Sequence, residues 1–296
     1  MFAETVNPNV LAGAFVLLLP FYTAFIFQRH QLLYRWLRGM LMILWPITVG
    51  ILFITQSRGA LLAAGLAVLI VLSLCYAKVI WLMPVFLIML IGATLWIGPR
   101  PLLDTLVASS AFGGMDGRIE IWNRALYAFH DFPFTGIGIG TFNKVIPLLY
   151  PYFLWTPEQE IPHAHNLILQ VGVDLGLIGL IAQVALWINL FWMLRTLLRC
   201  QTDDNRRVVA VGAFGSLIAM LLHGLVDAVT WGNKLAFLPW WLYALITLLF
   251  LQHWEEEQKP TSHTDFSNHA VSIALNEAQA PPLSLVLENA ATSSAR

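Results

Sequence analysis

Seven apolar runs, at about 10–27, 39–56, 59–77, 79–98, 177–194, 208–227 and 235–251, constrain this chain more than any other feature. Each is close to the ~20 residues that carry a helix across a ~30 Å hydrocarbon core. Of the 296 residues 58% are hydrophobic and 11% charged, and the mean hydropathy is +0.71, far more apolar surface than a water-soluble core needs. In lipid every backbone polar group must be satisfied within its own segment, so such runs read as helices. The expected fold class is all-α, a polytopic integral membrane helix bundle of about seven spans with one large outer-face loop at about 99–164.

Charge orients the bundle. Basic residues cluster at Arg29, Arg35 and Arg38, at Lys78, and at Arg195, Arg199, Arg206 and Arg207, in alternate connections that the positive-inside bias places in the cytoplasm. Residues 1–254 then form the membrane domain. Residues 255–296 open on Glu255-Glu256-Glu257, are polar, contain Pro281-Pro282, and are expected to be a disordered cytoplasmic tail. The N-terminus falls outside, with no basic region before the first run to mark a cleavable signal, so an upstream helix is expected to be missing. A formal net charge of -1 with small, scattered basic clusters gives no nucleic-acid surface. Cys75 and Cys200 lack metal-ligand or redox spacing.

Six basic residues, Arg58, Arg100, Arg118, Arg124, Lys144 and Lys234, remain on the outer side against that bias. Arg58, in Ser57-Arg58-Gly59, is either a snorkelling interface arginine or an anion clamp whose planar fork grips phosphate oxygens. The segment 117–129 spaces Ile121, Trp122, Ala125 and Phe129 as a helix does. It reads as an amphipathic interfacial helix carrying Arg118 at its start. Gly136, Gly138 and Gly140 lack the strand, helix and Lys-Ser/Thr context of a phosphate loop. His163-Ala164-His165-Asn166 stands where the long loop re-enters the membrane. There a histidine can take a proton from a sugar hydroxyl, or simply bond backbone. The histidines at i, i+2 also suggest zinc, but no cysteine or carboxylate cluster accompanies them, so neither metal nor other cofactor is expected. His223 and Asp227, four residues apart at the outer end of the sixth run, either pair with each other or line the substrate. Trp231, Trp240 and Trp241 read as interface anchors.

His165-Asn166 followed after nine residues by Gly176-x-x-Gly179 resembles the signature of the O-antigen ligase family. The resemblance extends through Asn7-Pro8-Asn9, Ser57-Arg58-Gly59, Gly117-Arg118 to Trp122, Pro133 to Phe142, and His223-Gly224-Leu225-Val226-Asp227. It implies a metal-independent glycosyltransferase of the bacterial cytoplasmic membrane, active on the outward face. Such an enzyme transfers a glycan from undecaprenyl diphosphate to a lipid or glycan hydroxyl acceptor. By the same resemblance His165, Arg58 and Arg118 match the family's catalytic residues, the arginines toward the diphosphate. His163, Asn166, Arg124, His223, Asp227 and Lys234 complete the expected substrate-binding set. Family members commonly have about a dozen spans and a glutamate where Asp174 stands, which again points to a missing N-terminal half. The alternative is a bicarbonate or other small-anion transporter of the same family, although no internal repeat or midplane ion pair favours a carrier.

Overall fold

A computed structural model describes residues 8–28, 35–107, 114–155, 159–200, 204–232 and 235–258. The described residues are helical and connected by turns: α1 Pro8–Phe27, α2 Arg35–Ile54, α3 Arg58–Cys75, a 3₁₀ turn at Ala77–Trp81 leading into α4 Leu82–Ile97, α5 Pro99–Val107, α6 Gly114–Asp131, α7 Phe142–Leu149, α8 Leu167–Arg199, α9 Asp204–Gly224 and α10 Phe237–Gln258. Among the described residues seven helices are long and apolar enough to cross a membrane, namely α1, α2, α3, the 77–97 segment, α8, α9 and α10. This is a multi-pass membrane bundle. The chain divides into two compact units, residues 1–250 and 251–296. In the second, His253 pairs with Glu257 at 3.3 Å, one helical turn away.

The centre of the first unit is α1, α3 and α9 packed on one another. Small side chains make this possible, because hydrocarbon supplies no hydrophobic drive between helices and association depends on close van der Waals approach. α3 buries Ala60, Ala63, Ala64, Ala67 and Val71, a helical stripe, against α1 and α9. On α9, a Cβ added at Gly212 would lie 2.9 Å from the Phe21 carbonyl oxygen, and one at Gly215 would meet Val71 and Pro20. Ser216 donates to the Leu17 carbonyl at 2.6 Å, satisfying a hydroxyl that lipid could not. By contrast α4 buries nothing in its span, and its Leu95 and Trp96 are fully outward, as on a lipid-facing helix.

The fifth apolar run was expected to begin near residue 177, but α8 begins ten residues earlier at Leu167 and contains a break. Gly176 has φ 70°, ψ -173°, a conformation that costs other residues about 1–3 kcal/mol. The break exposes backbone groups that the Pro133–Gly138 loop then satisfies. Ile137 and Gly138 donate to the Val173 and Asp174 carbonyls at 2.8 and 3.0 Å, and Leu177 donates to the Pro133 carbonyl at 2.6 Å. The glycines of this loop therefore serve a backbone-to-backbone seam between the outer loop and a broken helix. A Cβ on Gly136 would sit 2.6 Å from the Leu175 nitrogen, and one on Gly176 would sit 2.6 Å from the Phe134 carbonyl carbon. Gly176→Ala is expected to lower the melting temperature by several degrees and to detach the outer loop, visible as faster proteolysis between residues 114 and 155. Unchanged melting and proteolysis would mean that the seam does not hold the loop.

Candidate functional site

α6 carries the first element of the site. Its apolar positions Ile121, Ala125 and Ala128 are fully buried against Phe142, Ile146, Ile161 and Val173. One face of the stretch 117–129 is therefore built into the fold, while Ile119, Leu126 and Tyr127 on the same helix stay exposed. The same buried side holds Arg118, 3% exposed. Its Nη1 donates to the Val226 carbonyl and, at 3.4 Å, to that of His165. Arg118 Nε is buried with no hydrogen-bond partner among the described residues. Burial pushes the guanidinium down from its usual range, and Asp227 opposes that shift.

The second element is the 163–166 turn ahead of α8. His165 adopts φ 49°, left-handed for a residue with a side chain. Local bonds hold it there: His165 N donates to His163 Nδ1 at 3.2 Å, and Ala164 N donates to Gln170 Oε1 at 2.6 Å. Asn166 is the N-cap of α8, accepting from Leu169 N at 2.9 Å while its amide donates to the Leu225 carbonyl at 3.0 Å. It ties the start of α8 to the end of α9, a role that its place just before an apolar helix allows.

The third element is the segment after α9. Asp227 lies beyond the helix end rather than on it, with its N–H still bonded to the His223 carbonyl at 2.9 Å. Its carboxylate turns to the loop histidines: Oδ1 is 3.2 Å from His165 Nδ1 and 3.6 Å from His163 Nε2, and Ala228 N also donates to it at 2.8 Å. Asp227, expected to line the substrate or pair with His223, thus pairs with the two histidines from 62 and 64 positions upstream. His223, 2% exposed, stays at the same place, its Nε2 buried without a hydrogen-bond partner among the described residues.

These contacts define a proton map. Burial opposes ionisation of Asp227, but the charge and hydrogen bond of His165, with His163 and His223, outweigh it and hold the carboxyl well below its usual range. An ionised carboxylate only accepts, so His165 Nδ1 carries the proton facing it, and in the neutral imidazole this leaves the lone pair on Nε2. Burial, aided by His165 and opposed by Asp227, pushes His163 down to about 3. A neutral His163 accepting at Nδ1 must hold its proton on Nε2, which is the atom facing Asp227. The unfolded chain therefore takes up a proton on His163 near pH 6.5 while the folded one does not. Stability is expected to fall, by a few kcal/mol in all, as pH drops from about 6.5 toward 3. His163→Gln should flatten the melting-temperature profile between pH 6.5 and 4.5; the wild-type slope persisting in that variant would refute a buried neutral His163.

The sequence offered no third ligand beside the two histidines, and the fold supplies one. Atoms of His163, His165 and Asp227 lie within 4.8 Å of one another. By atom type they suit zinc. A dication there would have to displace both imidazole protons that face Asp227, next to the Arg118 cation, so electrostatics favour the proton map.

Arg58 opens α3, exposed, directly after buried Ser57 and after Gln56, the other described residue with a side chain in the left-handed region, at φ 54°. Gly59 packs on Val226, whose carbonyl Arg118 engages. The turn bearing Arg58 thus abuts the segment that holds Arg118 and Asp227. Arg124 is placed elsewhere. It pairs with Glu120 at 3.4 Å and covers the Phe153 ring at 4.8 Å, while Glu120 accepts from Phe153 N and Leu154 N at 2.5 and 2.9 Å. This arginine braces the outer loop. Lys234 lies outside the described residues.

Sequence reasoning missed a brace behind the histidine turn. Gln170 Nε2 and Trp231 Nε1 both donate to the Asp174 carboxylate at 2.8 Å. Trp231 is therefore tied inward, whereas Trp240 and Trp241 are exposed like interface anchors. The available signal was Gln170 and Asp174 one turn apart, both polar, on an otherwise apolar helix.

No curated protein was found to match the chain. Residues 41–184 match the family model described as O-antigen ligase, a stretch that takes in Arg58, Arg118, His163, His165, Asn166 and the α8 break, and that ends before His223 and Asp227. Residues 41–184 of the chain are thus similar to an O-antigen ligase domain.

Proposed function

We propose that this protein is a membrane glycosyltransferase that moves a glycan from undecaprenyl diphosphate to a hydroxyl acceptor, a lipid or another glycan, at the outward face of a bacterial cytoplasmic membrane. The observation that carries this reading is a buried arginine with a spare N–H donor, Arg118 Nε, beside a histidine whose tautomer is set by a carboxylate. In the reaction the acceptor oxygen attacks the anomeric carbon of the glycan and the bond from that carbon to the diphosphate oxygen breaks. The acceptor proton passes to His165 Nε2, and the diphosphate leaves as an anion held by Arg118 and Arg58. Asp227 keeps His165 in the accepting tautomer and stabilises the imidazolium that forms. His163 and Asn166 shape the turn, and His223 lines the same end. The cluster gathers at the ends of α8 and α9 rather than halfway along a span, which suits surface chemistry better than a carrier's midplane site.

The test is purified protein in nanodiscs, given an undecaprenyl-diphosphate-linked glycan and a hydroxyl acceptor. Product is expected with and without a chelator, and none from His165→Ala. Failure of the wild-type chain to form product would overturn the assignment, and a chelator-sensitive rate would replace the proton map with a metal site.

A further inference from the structure

The end of the bundle remote from this cluster holds a cavity of about 240 Å³, bounded by the last turns of α1 and α3 and the first turn of α9. α9 runs from Asp204 at that cavity to His223 at the cluster, a nineteen-residue separation that rises about 28 Å. That is close to the ~30 Å hydrocarbon thickness, so the cavity lies at headgroup depth on the opposite membrane surface. Its polar lining is of both signs: Asp204 and Arg207, one turn apart on α9, with Gln28 and Cys75 across from them. Val208 and Val211 continue the wall toward the hydrocarbon. The lining is partly tied, since Gln28 Nε2 donates to the Asp204 carbonyl at 3.3 Å and Arg207 Nη1 donates to the Leu198 carbonyl at 3.1 Å. The first bond engages the Asp204 backbone, and the second holds the Arg207 guanidinium at the rim.

We propose that this cavity is a binding site for a phosphoethanolamine lipid headgroup. A guanidinium matches the phosphate oxygens, and a carboxylate one turn away matches a primary ammonium that can donate hydrogen bonds. The valine wall receives the start of the acyl chains. A purely anionic headgroup would meet Asp204 unfavourably, and a quaternary ammonium would offer it no hydrogen bond. The site is separate from glycan transfer and stands whether or not that activity is found.

Cys75 lies in the cavity and is one of only two cysteines in the chain, so it reports occupancy. In the Cys200→Ser protein, the rate of maleimide alkylation of Cys75 would be compared in nanodiscs of phosphatidylcholine alone, with added phosphatidylethanolamine, with added phosphatidylglycerol, and with inorganic phosphate. Phosphatidylethanolamine is expected to slow alkylation about fivefold, the protection given by roughly 80% occupancy. Arg207→Gln and Asp204→Asn should each abolish that protection. Equal rates in the ethanolamine and choline lipids would overturn the proposal, as would equal protection by phosphatidylglycerol or by inorganic phosphate, which would make this a simple anion site. The lipid comparison uses no cavity variant, so misfolding of either substitution leaves the test intact.

Discussion

Replacing Arg118 by lysine is expected to lower glycan transfer about 100- to 1,000-fold, the usual cost of removing one preorganised donor from a developing anion. Lysine keeps a positive charge beside Asp227, so the buried carboxylate stays compensated and the bundle should melt near the wild-type temperature. What it loses is the planar fork. Arg118 uses one nitrogen for the Val226 and His165 carbonyls and keeps Nε for another acceptor. An ammonium on a flexible stem cannot hold both backbone groups and also present a fixed donor to a phosphate. The loss should appear in kcat more than in KM, because the charge on the leaving diphosphate grows toward the transition state. Wild-type kcat in this variant would remove Arg118 from diphosphate stabilisation and leave it a purely structural residue.

Asp227→Asn should cost about 100- to 10,000-fold in rate, through a different route. The amide is nearly the same shape, but it can donate as well as accept, so His165 is no longer forced to carry its proton on Nδ1. The substitution also strips the counter-charge from buried Arg118, and removing one partner of a buried pair typically destabilises by about 3–5 kcal/mol. Rates must therefore be scaled to the folded fraction, measured by gel filtration at the assay temperature. A folded Asp227→Asn protein with undiminished kcat would show that the carboxylate does not set the base. The sign of its titration gives a second check. Asp227 is held below the ordinary carboxylate range, so its contribution to stability is present above about pH 4 and is lost as pH falls further. Most of this loss falls below the His163 window, so melting curves can separate the two.

The spans were legible because burial in lipid leaves a signal that depends only on length and apolarity. α1, α2, α3 and α9 begin and end within a few residues of the runs that announced them. α8 was misjudged at its start because Gln170 and Asp174 lower its local hydropathy. A helix end satisfied by an outer loop has no periodic signature. α6 was recognised as a helix, but its spacing could not reveal that Arg118 sits on the buried side, since periodicity orders apolar residues and says nothing about a cation with carbonyls to bind.

Sequence alone determined the class of the molecule, an all-α membrane bundle of about seven spans, and the polar residues that lipid makes expensive: Arg58, Arg118, His163, His165, His223 and Asp227. Only the tertiary structure decided how they are used. It set Asp227 against both histidines, took Arg124 away to Glu120, turned Asn166 into a helix cap, and placed a two-signed cavity at the far end of α9. The reason is physical: transfer from water to lipid is priced residue by residue and can be read along the chain. A hydrogen bond between groups more than sixty positions apart exists only once α6, α8 and α9 have packed.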